Sequence, residues 1–221
     1  LHCQNDDPEA YSRLFHEVKR EVDKHLVDRL VVFTMEKDFR LRTQLEKLGF
    51  SLERYSYLLT RRGMETGEIL LDKGFSFRPY IPGEDEADYC KIRNSAFADL
   101  AGSETPLTQE EAAEMAAKEE YIPDGILFLC HHNQPVGIVR VAREFYNDVH
   151  YALIGPIGLL PSYQKKGLGR KLLRAGIEAG KKAGFNHAIL SVNAENEHAA
   201  NLYLSEGFEK AESFVCFQYF L

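Results

Sequence analysis

The most informative run of the sequence is Leu159-Leu160-Pro161-Ser162-Tyr163-Gln164-Lys165-Lys166-Gly167-Leu168-Gly169-Arg170. It predicts the end of a strand, a short loop, and a helix that begins between two glycines. The first N–H groups of a helix have no intrahelical acceptors, and the helix dipole favours negative charge at that end. Bare glycines also allow a ligand to approach the backbone. The run therefore indicates a binding site for phosphate or pyrophosphate.

Charge is unevenly distributed along the chain of 221 residues, whose formal net charge is −7. From Gln164 to Lys182 there are seven basic residues and one acidic residue, whereas Glu84 to Asp124 contains twelve acidic and three basic residues. A short basic run on an acidic protein favours a small anionic ligand. It argues against nucleic acid or an anionic membrane as the partner.

Two better-known phosphate-binding motifs do not fit the loop. A P-loop requires G-x-x-x-x-G-K-[ST], and neither that spacing nor the hydroxyl is present. A dinucleotide fingerprint requires a third glycine, where this sequence has Leu172. An ordinary loop beside a helix is the alternative to an anion site.

A second motif follows one strand later, where residues 196–208 read N-x-x-A-x-x-L-Y-x-x-x-G-F. With the Q-x-x-G-x-G spacing at 164–169, the sequence resembles the GNAT superfamily of acyl-CoA-dependent N-acetyltransferases. The resemblance covers residues 75–221 and implies an α/β fold with a mixed, mostly antiparallel central sheet and flanking helices. It also implies transfer of an acetyl group from acetyl-CoA to a primary amine of a small-molecule or peptide acceptor, with no metal ion.

The resemblance implies a role for each residue that matches the motifs. The backbones of Leu159 and Leu160 would contact the pantetheine arm, and Asn196 would contact the same arm or cap a helix. Tyr203 would protonate the departing thiolate, and a plain core tyrosine is the alternative. The pyrophosphate would be held by Arg170 and by the backbone of Gln164, Lys165, Lys166, Gly167, Leu168 and Gly169.

The general base is open, because the strand predicted at His150–Leu160 carries no carboxylate. His150 is one candidate; Glu195, or a water relayed through Ser191 or Asn193, are others. The missing carboxylate also leaves a second function open: a CoA-binding regulatory or structural module without turnover.

An internal repeat is predicted at an offset of 158 residues, which places Gly49-Phe50 on Gly207-Phe208. We therefore divide the chain into a partial, degenerate GNAT-like unit at 1–62, a linker at 63–74 and a complete acetyltransferase domain at 75–221. At this offset the loop 164–169 falls on residues 6–11, which have no glycine, and Tyr203 falls on Leu45. The partial unit is expected not to bind CoA. It would cover apolar surface, frame the acceptor site or mediate homodimerisation.

The remaining features concern the compartment and the acceptor. Four cysteines, Cys3, Cys90, Cys130 and Cys216, lack close pairing and metal-ligand spacing, and no apolar run is long enough for a membrane helix. These features predict a cytoplasmic protein. The acidic helices would border the acceptor in the resembled fold, which favours a cationic amine such as a polyamine, an aminoglycoside or a lysine-like group. A solvated acidic helix face is the alternative.

Overall fold

The computed structural model of the chain describes residues 8–22, 27–103 and 105–221. The described chain forms two compact units, each of which combines separate parts of the sequence. Unit 1 contains the described residues up to Leu58, together with Ser191–Ala200 and Lys210–Leu221. Unit 2 contains Leu59–Leu190 and Asn201–Glu209. The domains predicted from the sequence are instead continuous segments, with boundaries at residues 62 and 75, and this division stays a prediction.

Unit 1 combines helices with antiparallel strands. Its elements are α1 (Pro8–Glu21), β1 (Arg29–Met35), α2 (Phe39–Lys47) and most of β2 (Ser51–Arg62) and β8 (Glu209–Phe220). β1 pairs antiparallel with β8, from Arg29 opposite Phe220 to Met35 opposite Phe214. Residues on one face of these strands pack against both helices, which gives a core of Phe15, Leu45, Phe50, Val215 and Phe217.

Unit 2 contains the larger part of the chain. Its elements are β3 (Phe75–Pro79), α3 (Glu86–Ala96), α4 (Gln109–Glu114), β4 (Tyr121–His131), β5 (Gln134–Tyr146), β6 (Val149–Leu159), α5 (Leu168–Lys182), and parts of β7 (His187–Asn193) and α6 (Glu197–Ser205). The strands β3, β4, β5 and β6 pair antiparallel in chain order. β7 pairs parallel with β6. The α/β class and the mixed, mostly antiparallel sheet are therefore as predicted.

Helices cover both faces of the sheet in unit 2. Ile138 of β5 lies in a buried cluster with Tyr89 of α3. Its neighbour Val139 points to the opposite face, where α5 packs. There a Cβ at Gly176 would lie 2.8 Å from Val139 Cγ2, so a glycine in the helix allows α5 to approach the strands closely. This packing fixes the start of α5, and with it the predicted anion loop.

Apolar spacing in the sequence predicts a helix from residue 10 to about 28, a helix over 108–121 and a strand that begins at residue 126, and the structure differs from these bounds. The helix predicted from residue 10 to about 28 ends at Glu21; residues 23–26 lie outside the described residues, and 27–28 are not helical. The helix predicted over 108–121 is shortened to α4 and a 3-10 turn at Met115–Ala117, because β4 already begins at Tyr121. A register shift between Tyr121 and Ile126 interrupts the pairing of β4. Regular pairing resumes at Ile126, the residue at which the sequence pattern predicts that the strand begins.

Three pairs of elements have identical bounds 158 residues apart: β1 with β7, α2 with α6, and β2 with β8. The hydrogen bonds at their ends also coincide. Both helices end in a bond from a phenylalanine N–H to the carbonyl five residues earlier, Phe50 to Leu45 at 3.0 Å and Phe208 to Tyr203 at 3.1 Å. Both glycines before these phenylalanines have positive φ angles, 89° at Gly49 and 84° at Gly207.

Candidate active site

The predicted anion loop has the expected order. β6 ends at Leu159, a 3-10 turn occupies Pro161–Tyr163, and α5 begins at Leu168. Gly167 precedes the helix with a φ of 74°, a conformation that favours glycine. The side-chain amide of Gln164 donates to the carbonyl oxygen of Leu159 at 3.1 Å, which ties the loop to the end of the strand.

Gly169 is not required by backbone conformation or by packing. It lies inside α5, where glycine costs about 1 kcal/mol relative to alanine. A Cβ at this position would lie 3.6 Å from Leu202 Cδ2 of α6, which is an ordinary van der Waals contact. Close approach of a ligand to the backbone is the remaining physical reason for a glycine here. The loop therefore fits a pyrophosphate-sized anion at the helix start.

A buried carboxylate organises the basic face of α5. The Arg174 guanidinium donates to both carboxylate oxygens of Glu206, each at 2.8 Å. Arg170 donates to the same carboxylate and to Ser205 Oγ at 3.1 Å. The Glu206 side chain is only 6% exposed. Burial raises the pKa of Glu206, but hydrogen bonds and charges from the two arginines outweigh it and hold that pKa below its ordinary value.

Glu206→Gln is expected to destabilise the protein by about 2–3 kcal/mol, because two arginines lose their counter-charge while the side-chain volume is kept. Urea unfolding at neutral pH measures the change, and the exposed Glu209→Gln should change stability by less than about 0.5 kcal/mol. The folded pKa of Glu206 is lowered from 4.5, so its contribution is present above that value and lost as pH falls through the folded value. A difference between wild type and variant that stays constant down to about pH 3 would contradict this account.

Most of the basic residues between Gln164 and Lys182 form ion pairs in the structure. Besides the two arginines on Glu206, Lys171 lies 3.5 Å from Asp72 and Lys181 lies 3.8 Å from Glu65. Lys165 and Lys166 are exposed in the loop, and neither has a carboxylate partner within the described part of the chain. The positive charge left for an anionic ligand is therefore concentrated in the loop, and Arg170, predicted to hold the pyrophosphate, is committed to Glu206.

β6 has an unpaired run on the side of β7. The parallel pairing of these strands includes Ala152 with Ala188 and Leu153 with Ile189, and β6 then continues to Leu159 without it. Between Ile154 and Ile157, β6 has two residues, Gly155 and Pro156, where β5 has only Arg140 between Val139 and Val141. Such a bulge bends the strand. The run 154–159 thus leaves backbone groups available to an extended ligand, although the N–H of Leu160 already donates to Val136 O at 2.9 Å.

Tyr203 lies on α6, one residue after Leu202, the contact of Gly169. It is half-buried, and its ring packs against Phe208 with centroids 6.2 Å apart. Burial raises the pKa of Tyr203 to about 12. The phenol therefore keeps its proton at neutral pH, as a proton donor must, and this position is also compatible with the alternative of a packing tyrosine.

The predicted base His150 is not brought to this region. It is exposed at the start of β6, where its ring lies 4.9 Å from that of Phe145. The run 154–159 begins four residues further along β6, or about 13 Å at 3.3 Å per residue. A general base must lie within hydrogen-bond reach of its proton or one water away. The structure places His150 outside the run 154–159, and its role as the base stays a prediction.

Asn196 belongs to unit 1. The same unit contains Glu195, the other candidate for the base, and Ser191 and Asn193, the candidates for relaying a water. Asn196 Oδ1 accepts a hydrogen bond from the N–H of Ala199 at 3.2 Å, just after α6 begins at Glu197. This is the helix-capping geometry, one of the two roles that the sequence predicts for Asn196.

A cavity of about 470 Å³ in unit 2 was not predicted from the sequence. It lies among α3, α4 and the strands, and Pro156 of the bulged segment of β6 forms part of its wall. Its charged lining residues have both signs: Arg93, Glu111, Glu114, Lys118, Glu120 and Arg140. The acidic run 84–124 gave a partial signal for this site, but Arg140 belongs to a different element and carried none.

Three further findings bear on the chemistry. The described cysteines Cys90, Cys130 and Cys216 are free and buried; Cys3 lies outside the described residues. No cluster of three or more His, Cys, Asp or Glu side chains suited to a metal ion occurs within 8–22, 27–103 and 105–221. Among the same residues, none of the helices combines the length and the apolar character that a membrane crossing requires.

Comparison with known proteins places these features in a family. The family model described as "Acetyltransferase (GNAT) family" matches residues 91–208, just over half of the chain. The mycothiol acetyltransferase of Pseudarthrobacter chlorophenolicus is 28% identical over 166 residues, which are 72% of this chain and 50% of that protein. The mycothiol acetyltransferase of Streptomyces coelicolor is 29% identical over 171 residues, 75% of this chain and 53% of that protein. The chain thus spans about half the length of these relatives.

Solved structures agree in fold. A GCN5-related N-acetyltransferase from Sphaerobacter thermophilus has a TM-score of 0.76 at 18% identity, with coverage of 96% of this chain and 66% of that chain. A tandem GNAT protein from the clavulanic acid biosynthesis pathway has a TM-score of 0.67 at 14% identity, with coverage of 96% and 69%. The family match includes both the anion loop and α6. The chain therefore belongs to the acetyltransferase (GNAT) family.

Proposed function

We propose that this protein transfers an acetyl group from acetyl-CoA to the primary amine of an acceptor. The observation that carries the proposal is the helix start at 167–169, where Gly169 serves neither packing nor backbone conformation. GNAT proteins use acetyl-CoA, and the loop after β6 has the charge and the open backbone that a pyrophosphate needs. Lys165 and Lys166, free of carboxylate partners among the described residues, would add charge at this point.

The proposed roles follow from what each element offers. Acetyl-CoA supplies a thioester, whose acyl carbon is open to attack by an amine. The unpaired run 154–159 of β6 would hold the extended pantetheine arm by backbone hydrogen bonds, with Leu159 at its end. The N–H groups from Gln164 to Arg170 would hold the pyrophosphate. Leu160 would contribute through groups other than its bonded N–H, and a contact of Asn196 with the arm stays a prediction.

Acetyl transfer forms a C–N bond and breaks the C–S bond, so the amine must lose a proton and the sulfur must gain one. Tyr203 is the proposed donor, because it matches the tyrosine of the family motif and follows Leu202, the side chain beside Gly169. Glu114 and Glu120 are the proposed candidates for the base, since both line the cavity that includes Pro156 of β6. His150, the base candidate from the sequence, stays a prediction.

Release of free CoA thiol from acetyl-CoA, followed with a panel of primary amines, tests the function. We expect at least one amine to raise thiol release about 10²-fold or more above the rate with buffer alone. The panel should include polyamines, aminoglycosides, lysine derivatives, amino acids and mycothiol-related amines, since several relatives are named mycothiol acetyltransferase. Tight CoA binding without amine-dependent release would favour the alternative, a CoA-binding module without turnover.

We also propose that residues 1–62 are a partial, degenerate copy of the fold at 75–221, in a tandem arrangement. Support comes from the three pairs of elements with identical bounds at an offset of 158 residues. Further support comes from their pairing: Glu36 N–H donates to Ser213 O at 2.8 Å, and at the same offset Ala194 N–H donates to Tyr55 O at 2.9 Å. The loop of the partial copy lacks glycine, so we expect one CoA site per chain. Homodimerisation and a cytoplasmic location stay predictions.

A further inference from the structure

The cavity bordered by α3 and α4 has an unusual floor. Arg140 lies on β5, with a side chain only 15% exposed, and it lines the cavity. Its nearest acidic partner among the described side chains is Glu120, with 3.6 Å between Arg140 Nη2 and Glu120 Oε1. That distance exceeds a normal hydrogen bond. A largely buried guanidinium therefore faces the cavity with N–H donors that Glu120 does not occupy.

Tyr89 and Arg93, two further neighbours of Arg140, carry no negative charge that would offset it. Tyr89 lies beside it, fully buried in α3, and burial raises the pKa of Tyr89 to about 12 although Arg140 and Arg93 oppose the shift. The phenol is thus neutral at physiological pH. Arg93 is partly engaged, because its Nη1 donates to Thr105 O and to Asn94 Oδ1, each at 3.1 Å.

The carboxylates of the cavity differ in how free they are. Glu111 is held in a capping box, where its Oε2 accepts from the N–H and the hydroxyl of Thr108 at 2.8 and 3.1 Å. These hydrogen bonds lower the pKa of Glu111. Glu114 is exposed at the rim and faces the same cavity. The cavity thus offers a guanidinium, that of Arg140, at its floor, and a carboxylate, that of Glu114, beside the exposed Lys118 at its rim.

We propose that this cavity takes an acceptor that carries a carboxylate as well as the amine, that is, an amino-acid-like zwitterion. Arg140 would bind the carboxylate, because a guanidinium matches its geometry in a bidentate manner. Glu114 would attract the ammonium group before it loses its proton. A phosphate monoester fits less well, because a second negative charge would face Glu111, Glu114 and Glu120. This inference rests on the proposed acetyl transfer and replaces the simple cationic amine expected from the acidic run.

Binding of product-like ligands tests the subsite without turnover. The binding of several N-acetyl amino acids is compared with that of the matching N-acetyl amino-acid amides by saturation-transfer NMR. N-acetyl phosphoethanolamine serves as the phosphate probe. We expect the carboxylates to bind at least about tenfold more tightly than the amides. Equal binding of the amides, stronger binding of the phosphate probe, or no binding of the carboxylates would each overturn the proposal.

Arg140→Gln should remove the preference for carboxylates, and Arg140→Lys should restore part of it. Arg62→Gln, an exposed arginine outside the cavity, is the matched control and should keep the preference. If Arg140→Gln does not fold, Arg140→Lys alone should weaken carboxylate binding more than amide binding; a variant that weakens both equally would contradict the assignment. Thiol release from acetyl-CoA with free amino acids is measured in parallel. Carboxylate-selective binding without thiol release would refute the acetyl transfer and leave the subsite intact.

Discussion

Tyr203→Phe is expected to lower kcat by about 10²- to 10³-fold, because general acid catalysis by a positioned side chain contributes in this range. The structure supplies the physical basis. Tyr203 follows Leu202, the side chain that lies beside Gly169, and its ring is held by packing against Phe208. Phenylalanine keeps the packing ring and removes only the hydroxyl. The expected loss therefore falls on proton transfer and not on folding.

Affinity for CoA separates this role from a packing role. In Tyr203→Phe the dissociation constant of CoA, measured by calorimetry, should stay within about twofold of the wild-type value, since the hydroxyl is assigned to the leaving sulfur and not to the pyrophosphate. Tyr57→Phe, a tyrosine of unit 1 that we place outside the site, should leave kcat unchanged. Turnover of Tyr203→Phe equal to that of wild type would show that Tyr203 is only a packing residue.

Regular elements were predictable where local pattern and tertiary structure agree. The sequence predicts a helix from Leu168 to about Ala183, within one residue of the observed bounds of α5, because its apolar face repeats with helical spacing and glycine marks its start. β6 and β7 were recognised by their apolar runs and by their alternation with helices. The end of the helix over 108–121 was not predictable, because β4 takes up Tyr121 through pairing with Ala142, a contact distant in sequence.

The candidate site likewise has some features that could be predicted from the sequence and others that could not. The loop 164–170 could be predicted, because an anion cradle is made by consecutive residues. The roles of Glu206 and Arg140 could not be predicted, since each residue acts through partners on other elements. Glu206 pairs with arginines more than thirty residues away, and Arg140 reaches a cavity whose walls come from α3, α4 and β6. The charge of the basic run was likewise overestimated, because its ion pairs form only in the folded chain.

Gly169→Glu is expected to abolish CoA binding, with a rise in the dissociation constant of about 10²-fold or more. A carboxylate at the start of α5 would occupy the space left by the missing side chain and would repel a pyrophosphate at the same N–H groups. The substitution should not unfold the protein. A Cβ at residue 169 meets only Leu202 Cδ2 at 3.6 Å, and glutamate in the first turn of a helix is favourable for the helix dipole.

Gly169→Ala is the control that separates charge from folding. Alanine fits the same contact and favours the helix by about 1 kcal/mol over glycine, so this variant should be at least as stable as wild type. Its methyl group narrows the approach to the backbone, and we expect CoA affinity to fall by about tenfold, between wild type and Gly169→Glu. Calorimetric titration with CoA and thermal unfolding measure both quantities on the same samples. Unchanged affinity in Gly169→Glu would refute the anion site, because no pyrophosphate bound at these N–H groups could tolerate a carboxylate on the same helix turn.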